Sequence, residues 1–494
     1  MNPRPDPLED SYRRMLRWFP PRYRQRREEE LLSVLLDAAA PGQRRATAAE
    51  RLDLLRAGSR AWSQEAGTAA RRNPGPAAGI AALAATVLLT SLPAGPAPAA
   101  EPGTATLPSR FAGYSLLTGD ASTDPPGRAA ALYQQGLGVE LVDFPQAVVV
   151  GAQADEYRRL DLAERRSSPS QQGDPAPMLL SPDGRSVAVG DLSGRPADVA
   201  VQDLTTGEVR TWPVGDAART VPLALSPDGG FLALAVSGAP AHEEQPPGTK
   251  AALHLLDLRT GRVTTTDLAA PPVVAAWSPD GTELAVQQAA EGSPRPGETT
   301  VVLGADGRTR RHLDLPAGHR LAGPGAWSPD GRLLATGFGT GAYDASCPDQ
   351  GCLVRPTTAV PARPGSTDAV PLPAVPAGAT FLAWAGADRL LLAATDPPAG
   401  TGAESVRIDA LSLSTQEVTP VSSIPTDGEF AVVRLHLATA DLAPAVVREP
   451  GEAHRGRWPL PWRLAASALG ALLVAAVVGR LTRRSGTRRT AATA

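Results

Sequence analysis

A four-residue turn that returns at near-constant spacing constrains this chain more than any other feature. Ser-Pro-Asp-Gly occurs at 181–184, 226–229, 278–281 and 328–331. Each residue type has its own job in such a turn. Pro182, Pro227, Pro279 and Pro329 preset φ near −65°, and Asp183, Asp228, Asp280 and Asp330 bond the local backbone. Gly184, Gly229, Gly281 and Gly331 take the positive φ that closes a hairpin. After each turn comes a short apolar run: Ser186-Val-Ala-Val, Phe231-Leu-Ala-Leu, Glu283-Leu-Ala-Val and Leu333-Leu-Ala-Thr. These runs are too brief for helices and read as strands. A degenerate fifth copy runs from Trp384 in register with Trp327-Ser-Pro-Asp-Gly.

A second motif trails the first. Val201-Gln-Asp-Leu-Thr-Thr-Gly-Glu-Val matches Leu255-Leu-Asp-Leu-Arg-Thr-Gly-Arg-Val, and Leu413-Ser-Thr-Gln-Glu-Val is a weaker echo. Each repeat therefore reads as four antiparallel strands, the pattern of a propeller blade. The Trp-Ser-Pro-Asp-Gly run resembles the WD-repeat-like propellers of the TolB type, which are extracytoplasmic in many bacteria. That resemblance covers about residues 110–440 and implies a fold, not an activity. The expected fold class is mainly β: a propeller of six blades, or seven if either end hides another. Transmembrane helices flank it, and a small α-helical domain precedes it. The segment Phe430-Ala-Val-Val-Arg-Leu-His-Leu is expected to close the ring near Phe111–Leu117.

The membrane expectation comes from charge. Net charge is only −3, but residues 1–76 hold fifteen arginines against ten acids, and the tail from Arg480 holds five arginines and no acid. The middle of the chain is left with 28 basic and 41 acidic residues. Uncharged apolar runs, Ala77–Leu92 and Leu464–Gly479, mark both boundaries. By the positive-inside rule, both termini are cytoplasmic and the middle is outside the cell membrane. The domain expectation is a cytoplasmic helical module at 1–72, a membrane helix at 75–95 and a linker at 96–109. A propeller at 110–442, a linker at 443–459, a second membrane helix at 460–480 and a basic tail at 481–494 complete it. Ala97-Pro98-Ala99-Ala100 offers a weaker alternative, a cleavage site.

Residues 8–70 read as three helices: Leu8–Phe19, Arg22–Ala40 and Thr47–Ala66, the last opening with the capping box Thr47-x-x-Glu50. The stretch Tyr12-Arg-Arg-Met-Leu-Arg-Trp-Phe-Pro-Pro-Arg-Tyr-Arg with Glu29-Glu-Leu-Leu-Ser-Val-Leu-Leu-Asp-Ala looks like a small module of high-GC Gram-positive (actinobacterial) proteins. That resemblance implies a docking role and a cytoplasmic protein partner for residues 1–72. The cluster Arg22, Arg24, Arg26 and Arg27 reads as a solvated helix face balanced by Glu28, Glu29 and Glu30, so no nucleic-acid partner is expected.

Motifs for chemistry are scarce. There is no G-x-S-x-G elbow, no P-loop and no H-x-x-x-H pair among the six histidines. One Asp per repeat is a poor calcium loop, because calcium needs several oxygens converging within one short segment. Neither cofactor, metal nor catalytic residue is expected. Cys347 and Cys352 flank Pro348-Asp349-Gln350-Gly351 and are expected to form a disulfide, worth about 2 kcal/mol on the chain-entropy model. The functional expectation is a membrane-anchored, non-enzymatic binding, sensing or scaffold propeller with a protein or peptide ligand. Its alternative is a hydrolase of envelope carbohydrate or peptide with paired acids in the channel.

Overall fold

The structure, a computed structural model, describes residues 7–16, 19, 21–37 and 54, most of 105–459, and 463–464 and 467–468. Within 105–459 the description breaks at 137–144, 169–172, 238–250, 290–295, 316–318, 339–355, 363–369, 372–378, 397–404 and 427–431, and at 195, 216 and 441. The chain divides into two units, 1–93 with 460–494, and 94–459.

In the first unit, α1 (Pro7–Leu16) and α2 (Pro21–Asp37) match two of the three expected helices. Pro7 and Pro21 open them, where a missing N–H costs nothing. Leu8, Tyr12 and Leu16 recur at helical spacing and bury against Phe19, Leu32 and Leu54. Arg13 ties the pair together, 2.9 Å from Glu9 and 3.0 Å from Glu29. The third expected helix lies outside the described residues except for Leu54.

Among the described residues no helix is long and apolar enough to cross a membrane. This corrects the expectation of transmembrane helices at 75–95 and 460–480. It also removes membrane lipid as a partner and the cell-membrane topology built on those helices. The physical weakness is length: a sixteen-residue run spans about 24 Å as helix, against about 30 Å of hydrocarbon. Residues 75–95 lie outside the described residues, and 460–480 is described only at 463–464 and 467–468.

The second unit is built of strands. β1 (Ala105–Pro108), β2 (Ala129–Gln135), β3 (Gln146–Gly151) and β4 (Tyr157–Arg159) lead to the short helix α3 (Asp161–Arg165). Then follow β5 (Met178–Leu180), β6 (Ser186–Val189), β7 (Asp198–Asp203) and β8 (Val209–Pro213). The next repeat is β9 (Arg219–Leu225), β10 (Phe231–Ser237), β11 (Ala251–Asp257) and β12 (Val263–Leu268). After it come β13 (Pro272–Trp277), β14 (Glu283–Ala289), β15 (Pro296–Gly304) and β16 (Thr309–Asp314). β17 (His319–Leu321), β18 (Leu333–Phe338), β19 (Pro356–Ala362) and β20 (Val370–Pro371) precede β21 (Thr380–Trp384), β22 (Arg389–Asp396), β23 (Ser405–Ser412) and β24 (Val418–Pro425). β25 (Val432–Leu437) and β26 (Leu442–Arg448) end the series.

Five sheets are meanders of four consecutive strands, from β5–β8 to β21–β24, and a further four-stranded sheet has the order β25-β2-β3-β4. The expectation of six or seven blades is corrected accordingly. Five blades run serially, and the two ends of the chain together make the composite sheet that closes the circuit. The closing partner is also corrected: Leu437 and His436 stand opposite Ala131 and Leu132 of β2, not residues 111–117. Phe111 instead packs edge-on against Tyr133, ring centroids 5.8 Å apart.

Apolar side chains sit between each sheet and the next. Leu132, Val149, Val187 and Ala200 join the composite sheet to β5–β8. Val199, Leu232 and Leu256 join β5–β8 to β9–β12, and Leu253, Leu284 and Leu303 carry the contact on to β13–β16. Val302 with Leu333, then Leu334 with Leu390, continue the circuit. Ile408 with Tyr133 and Leu437 completes it. Burying such side chains stabilises by about 1.5–3 kcal/mol each.

The tryptophan before the turn braces neighbouring blades. Trp384 Nε1 donates to Ala326 O at 3.2 Å, and Trp327 Nε1 donates to Ala276 O at 3.0 Å. Each accepting residue directly precedes the tryptophan of the previous repeat, and Trp277, first in the row, has no partner for its buried Nε1 among the described residues. Outside the composite sheet, the terminal segments act as a strap. β1 pairs in parallel with β26, and bridges Arg110–Ser423, Asp120–Arg159 and Glu156–His454 cover two sheet edges. Arg448 anchors the strap, with Nε 2.9 Å from Asp155 and Nη2 donating to Ala154 O at 2.9 Å.

Candidate functional site

Antiparallel meanders give the ring two unlike ends. The connections between first and second strands, and between third and fourth, share one end, and among the described residues tight turns stand there, 181–185 and 204–208 among them. Connections between second and third strands, and from one sheet to the next, share the other. That second end takes the longest stretches of chain between paired strands, 238–250 and 339–355 among them.

At the tight-turn end the repeat residues satisfy one another. Ser226 Oγ donates to Asp228 Oδ1 at 2.6 Å, Gly230 N donates to the same oxygen at 3.0 Å, and Phe231 N donates to Ser226 Oγ at 2.8 Å. Asp183, Asp280 and Asp330 repeat the hydroxyl bond with Ser181, Ser278 and Ser328. The serine hydroxyl is the largest cause holding Asp228, Asp280 and Asp330 below the usual carboxylate range. Pro182, Pro227, Pro279 and Pro329 open these turns, and Gly184, Gly229, Gly281 and Gly331 close them at φ of 65–80°. Gly184 has a further role: Ala129 N donates to its carbonyl at 2.7 Å, and a Cβ there would fall 2.1 Å from Ala129 O. The motif is therefore a joint, and its carboxylates are occupied. No group of three potential metal ligands converges among the described residues. Cys347 and Cys352 lie outside the described residues.

The first strands of the serial sheets, with β25, form the inner wall. β25 touches both β21 and β5, β5 touches β9, and β9 touches β13, whereas β8 and β12 are exposed. None of β5, β9, β13, β17, β21 and β25 carries an Asp or Glu, but they hold Arg219, His319, Arg320, Arg434 and His436. The hydrolase alternative, which needs paired acids in the channel, has no carboxylate on these strands to supply them.

Arg434 is the extra residue of a β-bulge. Gln134 pairs with Val433 and Leu132 with His436, so Leu435 and Arg434 together oppose Tyr133 alone. Its φ is +53°, a conformation that L-residues other than Asn and Asp seldom adopt. The side chain is exposed, yet surrounding protein desolvates it enough to hold the guanidinium below its ordinary range, with Asp174 opposing. Nη1 donates to Pro175 O at 2.9 Å. Two residues on, His436 is pushed down to about 4, first by desolvation and then by the charge of Arg434. It is a neutral imidazole at pH 7.

Arg219 opens β9 at the same end. Its neighbour Thr220 bridges Asp191, and Gly190 N donates to Pro177 O at 2.8 Å. Arg434 thus reaches the entry to β5, whereas Thr220 faces β5–β8 and alternation along β9 turns Arg219 toward β13–β16. Among the described residues the Arg219 side chain has no hydrogen-bond or ion-pair partner, and desolvation lowers its pKa. Nearby Arg166 is the opposite case: its Nε donates to Gly190 O at 2.8 Å, and its Nη2 contacts Asp198 and lies 3.6 Å from Asp191. Also at this end, burial raises the Glu164 carboxyl to about 7 against the pull of Arg159, 3.5 Å away.

Arg219 and Arg434 are absent from the sequence-based site residues. The available signal for Arg219 was that the strands before the Ser-Pro-Asp-Gly turns carry no acid in a domain rich in acids.

No known protein-family profile matches the sequence, and no curated protein matches it. Among solved structures the chain is similar to TolB from Acinetobacter baumannii, at 13% identity and TM-score 0.40, over 63% of this chain and 66% of that one. It is similar also to a structure assigned as TolB from Agrobacterium tumefaciens (14%, TM-score 0.38, 63% and 99%) and to the nidogen/laminin complex (13%, 0.36, 63% and 98%). The likeness is one of fold alone, and at these scores the propeller architecture rests on the sheets of this chain itself.

Proposed function

We propose that residues 94–459 form a non-enzymatic binding or scaffold propeller that takes a protein or peptide ligand at the end opposite its tight turns. The observation that carries this reading is the contrast between the ends. Turn carboxylates and hydroxyls at one end are consumed by their own hairpins, while the other end takes the longest connections and includes Arg219, whose side chain has no hydrogen-bond or ion-pair partner among the described residues. Binding surfaces are commonly built on connections held by a rigid scaffold. The helical unit, with its own small core, is a separate module, and we assign it a docking role.

The test compares substitutions at the two ends. Val273, 39% exposed at the start of β13, becomes Val273→Glu; Arg259, at the tight-turn end, becomes Arg259→Glu. Ligand captured by the parent chain is expected to be lost with the first and kept with the second. The reverse pattern, or hydrolysis of a peptide or glycan pool by the purified chain, overturns the reading.

A further inference from the structure

We infer that residues 449–458 are a detachable arm: the segment opens as a unit while the ring stays closed, and its release bares the outer edge of β4. None of the residues that carry the binding reading takes part.

The two halves of the strap are held by different forces. In the N-terminal half, Ala105, Leu107 and Phe111 are buried in the core shared by the composite sheet and β21–β24. In the C-terminal half, beyond Arg448, only Ala453 packs against that core among the described residues, and it is partly buried. Trp458 stays 46% exposed, and Glu449, Gly451, Glu452, His454 and Gly456 are exposed too. A segment with little buried apolar surface and an exposed backbone opens locally at a fraction of the global free energy.

The contacts that hold the arm are polar. Gly451 N donates to Asp155 Oδ2, His454 N donates to Asp155 O at 2.8 Å, and Tyr157 N donates to His454 O at 2.9 Å. Gly119 N donates to Arg455 O at 2.7 Å, and Arg457 N donates to Asp124 Oδ2 at 3.3 Å. Arg455 donates to Gly113 O at 2.7 Å and to Thr118 Oγ1 at 3.1 Å, and it lies over the Tyr157 ring. Bonds of this kind exchange for bonds to water on opening, so each contributes modestly.

Two glycines make the seat. At Gly119 a Cβ would strike Arg457 O and lie 2.9 Å from Arg457 N; at Gly456, φ +66°, it would fall 2.6 Å from both Arg158 Nε and Asp124 Oδ2. The anchor upstream is of another kind. Arg448 spans Asp155, Gly151 O, Ala154 O and Thr106 Oγ1, so release of the arm ends there and leaves β26 on β1.

Hydrogen–deuterium exchange of the full chain, read by mass spectrometry, tests the arm. In the parent, amides at 451–457, with those of Gly119 and Tyr157, are expected to exchange at least tenfold faster than those of β6 and β10. Gly119→Ala unseats the arm without removing a charge. It should quicken exchange across 451–457 at least tenfold further and leave β6, β10 and the β1–β26 pair as in the parent. Should that variant not fold, Arg455→Met makes the same comparison, with at least a threefold gain expected. Arg448→Met, beyond the arm, is expected to quicken 105–108 as well. Equal exchange of the arm and the blade strands in the parent overturns the detachable arm. So does an unchanged arm in Gly119→Ala, or a loss of protection there that spreads equally through β6 and β10. Unchanged exchange at 105–108 in Arg448→Met removes Arg448 as the boundary.

Discussion

The two ends of the ring are made from the same strands, yet they handle polar groups in opposite ways. At the tight-turn end a serine hydroxyl, an aspartate and a backbone N–H close on one another within six residues, as in Ser226–Phe231. At the other end Arg166 is enclosed by acids, while Arg219 meets none among the described residues. A turn that satisfies itself locally can be repeated along a chain without reference to its neighbours.

The largest expected effect breaks the joint at the tight end. Gly184→Val places a branched side chain at φ +70° against Ala129 O and is expected to cost about 4 kcal/mol or more. Gly215→Ala, at the other end with φ +82° and open space around it, should cost only about 1 kcal/mol. Denaturant midpoints of the two variants compare them directly. If both lose the same stability, the ends do not differ as described.

The next comparison lies within the long-connection end. Arg166→Met strands Asp191 and Asp198 and is expected to destabilise by about 3 kcal/mol. Arg219→Met leaves no charge behind and should stay within about 0.5 kcal/mol of the parent. Chemical denaturation at neutral pH separates the two outcomes.

Acid titration sharpens the contrast further, because two groups at this end respond with opposite sign. His436 falls from the usual 6.5 to about 4 on folding, so the unfolded chain binds more protons between those values. Its contribution is intact above pH 6.5 and is lost as pH falls toward 4. Glu164 rises from 4.5 to about 7, so its contribution is intact below pH 4.5 and is lost as pH climbs through 7. Melting temperatures across pH 4–8 should therefore fall less steeply on acidification in His436→Gln than in the parent. Glu164→Gln should remove part of the loss above pH 4.5. Superimposable profiles for parent and variants contradict these assignments.

The smallest effect concerns the blade seams. Trp384→Phe breaks an inter-blade hydrogen bond and orphans Ala326 O, whereas Trp277→Phe removes an indole N–H that has no partner. The two losses in stability are expected to differ by about 1 kcal/mol, read as a difference in urea midpoint.

Much of the fold was legible because its recurring parts are local. The Ser-Pro-Asp-Gly hairpins, the strands after them and the helices at Pro7–Leu16 and Pro21–Asp37 each follow from neighbours in sequence. Even the turn at 413–417 reads as a relative of the Thr-Gly turns, although Gln416 takes φ +58° where Gly207 and Gly261 stand in the sister repeats. The membrane expectation failed differently. Apolar composition and flanking charge say where a chain tolerates lipid, but they do not make a helix long enough to span it.

The end opposite the tight turns was not legible, because nothing local marks it. Sequence by itself determined the repeat, its turn chemistry and the absence of acids from the strands that lead into the turns. Only the tertiary structure decided that Val432–Leu437 pairs with Ala129–Gln135 from the far side of the chain. The same closure sets Arg434 into a bulge beside the entry to β5. The physical reason is reach: a turn is settled by bonds a few residues apart, whereas a channel mouth is assembled from strands whose sequence separation exceeds that of any local pattern.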